Sequence, residues 1–327
     1  MTNTEEKIKI NCVPLDYKAC GRYRIAYPAQ VMYNEAKITL SPPGSFHYYG
    51  QEWFFTQRII HKELFEPLLD IKKKYNVKFV IDYDDDVWNE MPEFNKCGLN
   101  QDGVKDAMKQ YLNDLADKVT CTNEYIKKSL MEFVPEDKII IMPNCLDFHR
   151  WRFDRYPSPN NMSFLYAGSP THWTPDNYGD FSKGLVHYLN NKDVTVMGRT
   201  PSFLPKARLL SNWVDIDDYP IQFARCALQN RFIIAPLADN NFNRCKSDLK
   251  YIESCAVGRV CLVSEFPGCP YNEVSHPLQR IPVNSTATAI KYIVERANEH
   301  YDEIIAHQYN VLQSRWLDWR KYIELFK

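Results

Sequence analysis

Apolar residues run through the chain in two alternating rhythms. Short β-branched runs of strand type alternate with longer stretches whose apolar positions recur at helical spacing. Residues 9–13 and 37–40 read as the first two strands. The stretch 58–75 places Ile59, Ile60, Leu64, Leu68 and Ile71 on one helical face. Residues 77–83 form the next predicted strand, followed by a helix over 104–115, a strand over 118–122, a helix over 124–133 and a strand over 138–142. That βαβα order predicts a parallel sheet with helices on both faces.

Residues 145–162 break the rhythm. They hold Pro157, Pro159 and the Asn160-Asn161 pair, and they read as an inter-domain linker. A second series then begins: strand 164–167, helix 178–189, strands 194–197 and 213–216, helix 221–228, strand 232–236, helix 248–257, strand 260–264 and helix 286–297. Near the end, Trp316, Trp319, Ile323 and Phe326 recur at spacings that make one apolar stripe on a last helix. The expected architecture is α/β: two tandem, Rossmann-like, doubly wound domains over 1–155 and 160–305, with the tail 310–327 beyond them. Ligands are expected in the cleft between the domains, at the C-terminal ends of the strands.

Composition changes this picture little. The 327 residues suit two domains. Hydrophobic residues make up 45% and charged residues 25%, which excludes a disordered chain. Net charge is -1, and residues 1–155 carry 22 basic against 24 acidic side chains. Neither half has the basic footprint of a dedicated nucleic-acid binder. No apolar run reaches membrane-span length, and the polar, acidic first residues have no signal-peptide core, so a cytoplasmic location is expected. The ten cysteines include no C-x-x-C pair. They read as buried thiols, with no structural zinc site.

The sharpest chemistry lies in 236–253. A strand ends at Pro236, a polar loop follows, and Ser247 is placed to cap the next helix. Leu249, Ile252 and Ala256 would face the core; Lys246, Lys250 and Glu253 share another face. Cations at a helix N-terminus oppose the macrodipole, so Arg244, Lys246 and Lys250 make sense if an anion docks there. A diphosphate would meet the free backbone N–H groups and the lysines, and Glu253 would accept from a ribose diol. The bland alternative is a solvated surface with one Lys250–Glu253 pair. Earlier, Gly21 follows the first strand and allows close backbone approach, with Arg22 and Arg24 beside it offering fixed charge. Arg199, just past the 194–197 strand, is a further phosphate candidate.

Asp82 and Asp84–Asp86 crowd the end of one strand. Their repulsion would raise a carboxyl pKa, suiting Asp84 or Asp85 for general-base work toward an acceptor hydroxyl. A divalent cation or helix capping are the alternatives. Phe46, His47, Tyr48, Tyr49, Trp53, Phe54 and Phe55 form an aromatic cluster that reads as core or as a stacking surface for a sugar or base.

The order of strand, Pro236-Leu237, Phe242-Asn243, Lys246-Ser247, Lys250, Glu253, Gly258, strand and Pro270-Tyr271 resembles the donor site of GT-B glycosyltransferases, family 4-like, of the short phage and bacterial type. Gly21-Arg22-Tyr23-Arg24, Met142 to Asp147, and Ala167-Gly168-Ser169 with His172 are similar to further segments of that family. The resemblance implies a metal-independent, cofactor-free transferase moving a sugar from a nucleotide-sugar to a hydroxyl acceptor with retention. It implies a donor site of Gly21, Arg22, Arg24, Gly168, Ser169, Asn243, Lys246, Ser247, Lys250 and Glu253, with His172 as a catalytic candidate; Arg199 joins the donor site from its own position, and Asp84 or Asp85 is the candidate base if the reaction inverts. It also implies a last helix returning to the first domain. Cys245 departs from the pattern, standing where many members carry a glutamate on the donor sugar; Asn243 or Lys246 would take over that contact. The acceptor (a hydroxymethylated DNA base, a glycan, a lipid or a protein) stays open, as do a nucleotide-sugar epimerase and a non-catalytic donor-binding protein.

Overall fold

The computed structural model describes residues 6–95, 101–153 and 156–327. The chain divides into two compact units. The first comprises residues 1–90, 100–144 and 317–327, and the second 91–99 and 145–316.

The first unit is built on a six-stranded parallel sheet. Its strands are β1 (Lys9–Val13), β2 (Lys37–Leu40), β3 (Trp53–Gln57), β4 (Lys78–Tyr83), β5 (Lys118–Cys121) and β6 (Ile139–Ile141), in the order β2-β1-β3-β4-β5-β6. Strand β3 corrects the sequence reading, in which 46–55 is an undivided aromatic cluster. Trp53, Phe54 and Phe55 are buried strand residues, whereas Tyr48 and Tyr49 are exposed. Aromatic and β-branched residues suit a pleated surface buried on both faces, which a central parallel strand provides.

The segment after β1 is helical, not an open loop. Helix α1 (Ala19–Gly21), a π-turn over Arg22–Ala26 and α2 (Tyr27–Met32) run on continuously. Helices α3 (Lys62–Tyr75), α4 (Val104–Leu115) and α5 (Glu124–Leu130) complete the crossovers. Asn123 caps α5 by accepting from the backbone N–H groups of Tyr125 and Ile126. The last helix, Trp319–Ile323, belongs to this unit, and Tyr322, Ile323, Leu325 and Phe326 pack into its core with Ile10, Cys12 and Phe55.

The second unit opens with α6 (Phe148–Trp151), inside the segment read as a linker, with Trp151 fully buried. Its parallel sheet contains β7 (Ser163–Gly168), β8 (Asp193–Gly198), β9 (Arg208–Ser211), β10 (Phe232–Ala235), β11 (Val260–Glu265) and β12 (Arg280–Pro282). Their order is β12-β11-β10-β7-β8-β9. The strand expected over 213–216 is not there; β9 lies at 208–211, and Trp213 is exposed. Helices α7 (Lys183–Leu189), α8 (Tyr219–Leu228), α9 (Asn241–Arg244), α10 (Leu249–Ala256), α11 (Ala287–Glu299) and α12 (Tyr301–Gln313) connect and cover the strands.

From β7 the chain first adds β8 and β9 on one side, then crosses to β10 on the other. The point between β7 and β10 is therefore the topological switch of this sheet, where loops leave in opposite directions and open a crevice.

Eight of the nine described cysteines are buried and all nine are free thiols. Cys97 lies outside the described residues. Among the described residues no helix is long and apolar enough to cross a membrane.

Candidate active site

At the switch point of the second unit, the end of β7 and the start of α10 meet. Lys250, in the first turn of α10, donates from Nζ to the carbonyl oxygen of Ala167. The ammonium also lies over the Tyr166 ring, 5.4 Å from its centroid. Burial lowers the Lys250 pKa, against the raising pull of Glu253 and Asp180.

Gly168 and Gly198 face each other at the C-terminal ends of β7 and β8. A Cβ on Gly168 would lie 2.2 Å from the Tyr166 hydroxyl, and one on Gly198 2.6 Å from the Gly168 carbonyl. Gly198 has φ +111, a conformation open to glycine. Neighbouring atoms fill the space at both strand ends, so neither position takes a side chain. Ser169 shares a 2.6 Å hydrogen bond with Thr171, and exposed Arg199 lies 5.4 Å over the Trp173 ring.

Beneath this surface sits Asp180, a fully buried carboxylate that the sequence reading did not single out. Its Oδ1 accepts from Asn243 Nδ2 at 2.7 Å and from the Ala238 backbone N–H at 3.1 Å. Its Oδ2 lies 2.6 Å from His172 Nδ1. Asn243 also donates to the Ala238 carbonyl at 2.9 Å, while its buried Oδ1 has no protein partner among the described residues. One carboxylate thereby ties together the loops after β7 and β10. A lone aspartate in a loop-to-helix stretch carries no pattern that distinguishes this role; only the fold brings it under His172.

Helix α9 is set by Asn240, whose side chain accepts from the Asn243 N–H at 2.8 Å. Arg244 is directed to Pro267, Asn241 and Asp239, and Lys246 Nζ lies 4.4 Å over the Phe242 ring. Ser247 was expected as the N-cap of the next helix. Asp248 holds that position instead, with no side-chain capping bond, because its carboxylate is paired with Arg315 at 2.7 Å. The core stripe expected from Leu249, Ile252 and Ala256 is also shifted. Tyr251, Ile252 and Cys255 are the buried apolar positions, because α10 packs on both the sheet and α12. Glu253 is buried at 3% exposure and accepts from Tyr219 at 3.0 Å.

The first unit places its candidates differently. Gly21 ends α1, where a Cβ would come 2.0 Å from the Asp16 carbonyl. Arg22 lies 5.9 Å over the Tyr17 ring. Arg24 is 3% exposed and ion-paired with Asp82 at 2.6 Å, and it also donates to the Met142 carbonyl and to Asn144. All three of its side-chain nitrogens are engaged inside the unit and the residue is buried, so it offers no open charge to a phosphate. Thr120 completes the Asp82 environment with a 2.7 Å hydrogen bond.

Within the acidic run Asp82 has a raised pKa, from burial first and the Asp84 charge behind it, against the lowering pull of Arg24, whereas Asp84, Asp85 and Asp86 are each met by donors. Arg58 donates to Asp84 at 2.6 Å and to Asp85 at 2.8 Å, and Gln57 adds a bond to Asp84 at 3.0 Å. Asn89 and Ser129 donate to Asp86. Burial pushes the Asp84 carboxyl up, but the charges of Arg58 and then Arg24 outweigh it and hold its pKa at about 2. This corrects the expectation of a raised pKa at Asp84: a carboxylate at about 2 is a feeble general base at neutral pH. Among the described residues no group of three or more His, Cys, Asp or Glu has metal-site geometry.

No family model matches the chain, and no curated protein is significantly similar in sequence. Solved structures are similar over nearly the whole length. A sucrose-phosphate synthase from Thermosynechococcus elongatus is 13% identical, with TM-score 0.65, covering 98% of this chain and 99% of that one. A glycosyltransferase from Rickettsia africae is 14% identical, with TM-score 0.62, covering 99% and 98%. HepE from Anabaena, solved in complex with UDP and glucose, is 10% identical, with TM-score 0.60, covering 98% and 99%. Two six-stranded parallel sheets with flanking helices, matched end to end by these structures, identify the fold of this chain as GT-B.

Proposed function

We propose that the protein is a glycosyltransferase that moves a sugar from a nucleotide-sugar to a hydroxyl acceptor. One observation carries this reading: the basic start of α10 is held over the C-terminal end of β7, at the switch point of the second sheet. The cations Lys246 and Lys250, near the end of β7 at this switch point, suit a diphosphate. Exposed Arg199 adds charge at the rim of this site. In this reading Glu253, one turn further along α10 and bonded through one carboxylate oxygen to Tyr219, would use the other for the ribose hydroxyls, and Asn243, whose Oδ1 has no protein partner among the described residues, would serve the sugar. HepE, of the same fold, was solved with UDP and with UDP-glucose, which supports a nucleotide-sugar as the ligand class.

In this reading Lys246 and Lys250 stabilise the departing nucleoside diphosphate as the glycosidic bond breaks. Asp180 is occupied by three partners and attacks nothing. The retaining course that the family resemblance implies, in which the leaving phosphate takes the acceptor proton, needs no protein nucleophile and so fits this arrangement. The test is a thermal-shift screen with UDP, GDP, UDP-glucose, UDP-galactose, UDP-N-acetylglucosamine and GDP-mannose, followed by assay of released nucleoside diphosphate. A ligand that binds the native state raises its melting temperature with concentration. No shift from any of them, or shifts that persist unchanged in Lys250→Ala, would sink the assignment.

A further inference from the structure

The Asp180–His172 pair settles which nitrogen of His172 faces outward. Asp180 Oδ1 already accepts two N–H groups, from Asn243 and Ala238. A carboxylate can only accept. The proton in the 2.6 Å contact between Asp180 Oδ2 and His172 Nδ1 therefore resides on Nδ1. Nε2 has no protein partner among the described residues, and the side chain keeps 16% exposure. Burial, and then the charge of Lys250, disfavours the imidazolium, so Nε2 carries a lone pair.

A lone pair cannot donate to a phosphate oxygen. It accepts from O–H or N–H. With a diphosphate beside Lys250, as proposed above, the sugar attached to it would bring hydroxyl donors to this side of the site. We infer that Asp180 locks His172 in the Nδ1–H tautomer so that Nε2 accepts a hydrogen bond from a hydroxyl of the donor sugar, which makes the pair a reader of sugar identity. The inference rests on the nucleotide-sugar reading above. It moves His172 from the catalytic role expected of it to a specificity role, with Asp180 as its positioning residue. It also accounts for the donor-sugar contact that Cys245, lacking a carboxylate, does not make.

The experiment is nitrogen-15 NMR of the histidine rings in the full chain, with His172→Gln identifying the resonance. Free protein at pH 7 should show a pyridine-type Nε2 and a pyrrole-type Nδ1 at His172. Asp180→Asn should invert the pair, because its amide keeps the oxygen for Asn243 and Ala238 and turns an N–H toward His172. UDP-sugar should move the Nε2 resonance, whereas UDP alone should leave it in place. In turnover, His172→Ala should raise KM for the preferred UDP-sugar about 10-fold and erase discrimination against its deoxy analogues. His172→Gln, which retains an acceptor, should recover part of both.

A pyridine-type Nδ1 in the wild type overturns the tautomer assignment. Bound UDP-sugar with an unmoved Nε2, or an equal response to UDP, overturns the sugar assignment while leaving the donor site standing. Failure of every nucleotide and nucleotide-sugar to bind overturns the donor reading and the sugar role with it. The inversion in Asp180→Asn is read without any ligand, so the lock itself is tested in every case.

Discussion

The ammonium of Lys250 is hydrogen-bonded to the carbonyl oxygen of Ala167, so the charge at the start of α10 is held over the end of β7. This bond joins the helix and strand that flank the switch point, and it leaves the ammonium partly buried rather than waving in solvent.

Removing that charge should cost donor binding more than fold. Lys250→Ala is expected to weaken nucleoside diphosphate binding at least 10-fold, with an unchanged far-ultraviolet spectrum. Lys250→Arg should not restore it, because a planar fork does not fit a site shaped for a compact ammonium. Calorimetric titration with UDP checks both.

The same group sets a pH dependence. Burial lowers the Lys250 pKa below its ordinary value of 10.5, and a bound diphosphate favours the charged form. Binding should therefore take up a proton above the free-protein pKa, and affinity should fall as pH rises through it. Affinity that is flat through the alkaline range would contradict this.

Asp84 makes the opposite kind of contribution, to stability. Its folded pKa of about 2 lies below the ordinary 3.8. The stabilisation is therefore full above pH 3.8 and is lost as pH falls through about 2. Integrated, it is about 2 kcal/mol. Urea titrations of wild type and Asp84→Asn between pH 2 and 6 should converge at the acid end. Arg58→Met should move the acid limb to higher pH.

The buried Arg24–Asp82 pair should be sensitive to removal of one partner. Asp82→Asn or Arg24→Met leaves an uncompensated buried group and is expected to cost about 3–5 kcal/mol. Denaturant midpoints of the two single variants and the double variant measure this; near-additive losses would argue against direct coupling.

If Lys246 and Lys250 supply the charge at the leaving diphosphate, transfer should persist in excess EDTA. Abolition by EDTA and recovery with manganese or magnesium would return the acidic run after β4 to consideration as a cation site.

The sequence by itself determined the periodicities, and with them the alternation of strands and helices and the two-part α/β class. Runs such as Phe79-Val80-Ile81 and Ile139-Ile140-Ile141 favour the buried pleat whatever surrounds them. It also determined where charge would gather, since Lys246, Lys250 and Glu253 share a helical face by spacing alone. Tertiary structure decided which charges were committed. Arg24 and Lys250 look alike as cations near strand ends, yet Arg24 is consumed by Asp82, Met142 and Asn144, residues far away in the chain. Arg58 quenched the basicity that a crowded aspartate run suggests, because the fold set its guanidinium between Asp84 and Asp85. Asp180 acquired its role only when parallel strands brought the loops after β7 and β10 together over one buried carboxylate. Local propensity acts over a few residues, whereas protonation, pairing and burial depend on neighbours that only the folded chain supplies.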